Sequence, residues 1–167
     1  LALGLAIGQL FYGPVSDSIG RKPTIFAGIV IFSLGCMLSF FATQFWGLLL
    51  GRLLQGIGVA SPRSIVIAIV RDLYQGRTMA SIMSAVTAVF IVVPAVAPIF
   101  GQGILLVTTW RTVFFILMLL GGITLTWFTL RQQETLPLEN RRPFSANHLV
   151  QAAKEIIGHR IAFGHTL

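Results

Sequence analysis

The sequence predicts an all-α integral membrane protein, a partial bundle of long helices. Three observations carry that expectation. The 167 residues are 55% hydrophobic with a mean hydropathy of +0.85; only 10% are charged, against roughly 25% in an ordinary soluble domain; and the polar residues gather into short clusters between apolar runs of membrane-spanning length. All five acids, Asp17, Asp72, Glu134, Glu139 and Glu155, fall in such clusters. The net charge of +7 therefore reflects segregation along the chain and a lipid bilayer partner, with no nucleic acid expected. The single cysteine, Cys36, excludes an internal disulfide and a Cys-rich metal site, and His148, His159 and His165 have no metal-ligand spacing. No metal or cofactor is expected.

The apolar runs follow in order. The first covers Leu1 to about Tyr12, the second Thr24 to Thr43, the third Trp46 to Val70, the fourth Met79 to Val107 and the fifth Arg111 to Leu130. Between the first two lies Gly13 to Pro23, G-P-V-S-D-S-I-G-R-K-P, expected to form a tight charged hairpin with Pro14 and Pro23 breaking helix on either side. Such a turn belongs at the membrane surface, where any multi-span protein needs polar turns. Small residues mark helix contacts: Gly4 with Gly8, Gly47 with Gly51, and the series Gly51, Gly56, Gly58, Ala60, Ser61, which makes the third helix central.

Beyond Leu130 the character changes. Residues 131–160 are expected to be a cytoplasmic linker containing an amphipathic helix capped by Ser145, with Leu149, Val150, Ala153, Ile156 and Ile157 on one face. Residues 161–167 begin another apolar run. The chain starts without Met inside an apolar run and stops inside one, so it is expected to be a piece of a longer protein.

Placing Gly13 to Pro23 in the cytoplasm puts Arg21, Lys22, Arg71, Arg77, Arg131 and the bases of the tail on that side and only Arg111 on the other. Trp46 and Trp110 then mark the outer interface, and Tyr12, Tyr74 and Trp127 the inner one.

Charge inside a span is costly and points to function. Arg52 and Arg63 qualify, both on the third run and eleven positions apart, nearly a whole number of turns, so both project from one side with Gln55 close to that stripe. For Arg63, snorkelling to the nearer interface is the competing reading. Pro62 frees the carbonyl of Gly58 beside it. On the fourth run, Pro94 and Pro98 bend the helix and Gly101 permits a close neighbour, which suits a gate, although single prolines in membrane helices are also tolerated as plain kinks. No Asp or Glu lies within any span. Nor does any span gather a nucleophile, base and metal set, so the chain is not expected to be an enzyme.

These residues resemble a known family. Gly13, Asp17, Gly20, Arg21 and Lys22 match the loop after helix two of the major facilitator superfamily, with Val15, Ser16 and Ser18 departing; Arg52, Gln55, Gly56 and Gly58 match its helix-four motif R-x-x-Q-G-x-G. Pro98 and Gly101 match the helix-five antiporter motif, with Ala97 and Gln102 in place of glycines. The chain is similar to the bicyclomycin-resistance-type multidrug efflux subfamily over helices two to six, residues 1–130, plus the start of helix seven. The resemblance implies most of the N-terminal six-helix half, in a bacterial inner membrane, facing a C-terminal half. It implies proton-coupled efflux of small amphipathic molecules or drugs by alternating access. In that scheme Asp17 contacts a helix terminus of the opposite half, Arg21 pairs with Asp72, Arg52 lies on the polar pathway, and the proton-coupling acid lies on a helix absent from this chain. An uptake symporter or facilitator for a small metabolite shares the fold; a non-transporting membrane subunit or an inactive fragment is the remaining alternative.

Overall fold

The computed structural model describes residues 1–136. It contains five helices and, among those residues, no strand: α1 (Ala2–Ile19), α2 (Arg21–Phe41), α3 (Phe45–Leu73), α4 (Gly76–Val107) and α5 (Trp110–Arg131). α2 to α5 are each long and apolar enough to cross a membrane. The linker helix expected after Ser145 and the apolar run 161–167 lie outside the described residues.

α3 is the centre of the bundle, as its small residues predict. α1 packs on one side of it and α2 on another, while α5 packs on α2. Gly4 and Gly8 bring α1 against the backbone of α3: a Cβ on Gly8 would lie 2.6 Å from the Ala60 Cβ and 3.0 Å from the Ile57 carbonyl. Gly28, Gly35, Gly51 and Gly58 do the same between α2 and α3. Ser61 Oγ donates to the Thr24 carbonyl at 2.9 Å across that contact. Ile25, Ile29 and Ile65 form a small apolar core toward the basic end, closed by Ile69, Leu125 and Phe128. Gly47 takes no part; the nearest atoms to its Cβ position are those of Ala42, at 3.5 Å and beyond, so the Gly47 and Gly51 pair is split.

The hairpin differs from its expected form. Gly13 to Ile19 continues α1, Pro14 included, and α2 starts at Arg21, so the turn shrinks to Gly20 alone, with φ 120° and ψ 160°. Pro23 breaks nothing because it is the third residue of α2, where a backbone N–H has no helical acceptor in any case. Pro14 is accommodated inside a helix, which membrane helices allow. The extension also moves Tyr12 away from the interface: it lies seven residues, about 10 Å, before the end of α1 and is buried. Trp46, Trp110, Tyr74 and Trp127 are exposed near the ends expected for them.

Candidate functional site

At the basic end, three helices meet on one guanidinium. Arg21 starts α2 directly after Gly20, and its side chain is only 9% exposed. Its Nη1 lies 2.6 Å from Asp17 Oδ1, one turn back on α1, and donates to Ser16 Oγ at 2.6 Å. Its Nε donates to Asp72 Oδ2 at 3.1 Å, at the end of α3. Asp72 is 27% and Asp17 47% exposed, so the Asp72 pair is the better shielded of the two, while the Asp17 contact is the shorter. Lys22 Nζ donates to the Thr129 carbonyl of α5 at 3.0 Å. Gly13 sits apart, with nothing within 4 Å of its Cβ position among the described residues; its carbonyl accepts from Ser16 Oγ at 2.9 Å.

The helix-four motif is distributed over three neighbours. Gly56 faces α1, where a Cβ would lie 2.9 Å from Leu5 N, and Gly58 faces α2, where a Cβ would lie 2.6 Å from the Gly28 carbonyl. Gln55 is buried and donates from Nε2 to Ser39 Oγ of α2 at 3.2 Å. It does not join the arginine stripe. Three residues of helix turn it about 60° away from Arg52, enough to put it inside the α2 contact.

Arg52 and Arg63 both stay exposed and reach aromatic faces: the Arg52 guanidinium lies 4.7 Å from the Phe114 ring centroid on α5, and that of Arg63 lies 5.9 Å from the Phe90 centroid on α4. Cation–π contact offsets part of the cost of a charge inside a span. Among the described residues neither guanidinium meets a carboxylate. Below Arg52, around Pro62, an apolar groove of about 230 Å³ separates α3 from α5, lined by Phe32, Gly58, Pro62, Leu117 and Gly121 among others.

α4 carries Pro94, Pro98 and Gly101 without burying any residue among those described. Both prolines are exposed, and nothing lies within 4 Å of a Cβ built on Gly101. The close neighbour expected at Gly101 is therefore not among the described residues. None of them forms a metal-binding group either.

The family profile described as Major Facilitator Superfamily matches residues 1–166. The chain belongs to that superfamily. It is 36% identical over 167 residues to an uncharacterized MFS-type transporter, YdgK, of Bacillus subtilis, covering 99% of this chain and 42% of that protein. It is 32% identical to a bicyclomycin resistance protein homolog of Haemophilus influenzae, covering 96% and 42%. It is 27% identical to the multidrug resistance protein MdtM of Escherichia coli K12, covering 96% and 39%. The chain thus spans about two fifths of the length of these relatives. The human organic anion transporter MFSD10 shares its fold, with a TM-score of 0.75 at 22% identity over 90% of this chain and 36% of that one. This major facilitator chain is a multi-pass membrane protein.

Sequence reasoning missed several partners. Ser39, Phe90 and Phe114 give no local signal, because each is an ordinary residue of an apolar helix whose role comes from the helix beside it, and nothing around Ser16 shows that it accepts from Arg21. Glu134 stands out in sequence only as one of the five clustered acids; the structure sets its carboxylate on the first amides of α2.

Proposed function

We propose that this chain is part of a proton-coupled exporter of small amphipathic molecules or drugs that works by alternating access in a bacterial inner membrane. The observation that carries the reading is the Asp17, Arg21, Asp72 cluster, which ties α1, α2 and α3 together at one end while the opposite flank of α3 stays open. In the proposal Arg21 is the hub of a cytoplasmic latch, with Gly20 giving the turn its shape and Lys22 bracing α5. Asp17, the more exposed acid, is left to reach the positive end of a helix in the C-terminal half. Protonating or removing either acid weakens the latch and shifts the balance between the two access states.

Arg52 and Arg63 face the flank on which that half would close, with Phe114 and Phe90 beside them, so they line the substrate pathway together with the bent helix of Pro94, Pro98 and Gly101. Gln55, Gly56 and Gly58 hold α3 in position for this. The efflux direction draws support from the bicyclomycin and multidrug resistance names of relatives. The replacements Ala97 and Gln102 weaken the antiporter motif without removing it, and the second reading is an uptake symporter or facilitator of the same fold. The test is proton-gradient-dependent efflux of a fluorescent cationic dye by cells expressing the full-length transporter, with Asp17→Asn and Arg52→Ala at matched membrane levels. Loss of efflux in both variants supports the export reading. Accumulation of a metabolite with protons and no outward movement replaces it with uptake.

A further inference from the structure

The turn between α1 and α2 leaves a need that it cannot meet locally. Gly20 holds φ 120°, a conformation that residues with a Cβ avoid, and Gly20 is also the N-cap of α2. A glycine N-cap has no side-chain oxygen to accept from the first amides of its helix. Asp17, the nearest acid in sequence, is turned onto the Arg21 guanidinium.

The acceptor comes from 113 residues along the chain. Glu134, just past the end of α5, accepts from Arg21 N at 2.9 Å through Oε1 and from Lys22 N at 3.2 Å through Oε2. The same Oε1 accepts from Thr135 N at 3.1 Å and Leu136 N at 3.0 Å, so the carboxylate also orders its own turn. Lys22 answers with its Nζ on the Thr129 carbonyl, in the last turn of α5. Two helix ends satisfy each other, a negative charge at the N-terminus and a cation at the C-terminus, each the sign that the helix dipole favours.

We propose that Glu134 is a positioning residue of the latch: by capping α2 it fixes the backbone of Arg21, so that one guanidinium reaches Asp17, Ser16 and Asp72 together. The proposal rests on the reading of those residues as a latch. Arg21 is then held at both ends, through its amide by Glu134 and through its side chain by α1 and α3. The segment that follows α5 sets how firmly the latch closes. Displacing that segment uncaps α2 and loosens Arg21 before either of its acids changes state.

Hydrogen–deuterium exchange by mass spectrometry on the full-length transporter in lipid nanodiscs tests this without requiring transport. Glu134→Ala should raise exchange at the Arg21 and Lys22 amides about fivefold to tenfold, the size of a lost N-cap, with Glu134→Gln, which keeps one neutral acceptor, falling between. It should also raise exchange, by less, at the Tyr74 amide, which closes the α3 end beside Asp72 through its bond to Val70. Asp72→Asn should raise exchange at Tyr74 and leave Arg21 and Lys22 protected. Unchanged exchange at Arg21 and Lys22 in Glu134→Ala overturns the capping role, and unchanged exchange at Tyr74 overturns the link to the latch. An increase spread evenly over all five helices overturns local positioning in favour of general packing. The expected exchange pattern in a transporter that moves no dye outward sinks the export reading and leaves this one standing.

Discussion

α3 and α4 are near twins in sequence terms. Both are longer than a bilayer core requires, both are strongly apolar, and both carry proline and several glycines. In the structure α3 buries Gly51, Gln55, Gly56, Gly58, Ala60, Ser61, Ile65 and Val70, whereas α4 buries nothing among the described residues. What separates them is the arrangement of small residues. On α3 the small residues turn toward two different neighbours whose own glycines, Gly4 and Gly8 on α1 and Gly28 and Gly35 on α2, stand opposite them. On α4, Gly101 and Gly103 have no neighbour within 4 Å of a Cβ position among the described residues. Apolarity puts a helix in the membrane; matched small surfaces give it a partner there.

The contrast can be broken most forcefully at Gly58. Its Cβ position lies against the Phe32 amide and 2.6 Å from the Gly28 carbonyl, both backbone atoms that cannot swing aside. Gly58→Leu is expected to cost about 3 kcal/mol through overpacking, read as loss of monodisperse protein and a lower midpoint of thermal unfolding in detergent. Asp72→Asn comes next. It takes the better-shielded carboxylate from a nearly buried guanidinium, and its partial exposure limits the cost to about 2 kcal/mol, measured in the same way. Gln55→Ala should cost about 1 kcal/mol by leaving Ser39 Oγ without its buried partner; Gln55→Glu, which swaps the donor for a buried charge, should be worse. At the bottom of the scale, Gly101→Ala should shift the midpoint by no more than about 0.5 kcal/mol equivalent. A large loss at Gly101 in the full-length transporter would mean that protein packs tightly on α4 there, and the two helices would no longer be opposites.

Much of this was legible in the sequence. Hydropathy and the polar clusters located all five helices, with the ends of α3, α4 and α5 falling within a few residues. The third helix was recognised as central from its small residues, and Arg21 was matched to Asp72. The hairpin differs from its sequence expectation because Pro14 sits in a membrane helix that tolerates it and Pro23 in a first turn that has no use for its amide. Periodicity places Gln55 only close to the arginine stripe; the position of α2 decides that it is buried. Glu134 lay beyond reach for a different reason. Nothing around it in sequence shows that the amides it serves begin α2.

The one-residue turn at Gly20 joins α1 and α2 as closely as two helices can be joined, yet the two touch each other little and each docks on α3. Adjacent in the chain, they are partners only through a third. During synthesis α1 and α2 therefore emerge before the face of α3 on which their glycines dock, and that interface becomes available only once α3 emerges. A ribosome stalled before Phe45 should leave α1 and α2 open to rapid proteolysis, while one stalled after the whole of α3 has been released should leave them protected. The assembly checkpoint of these helices would then be the arrival of α3.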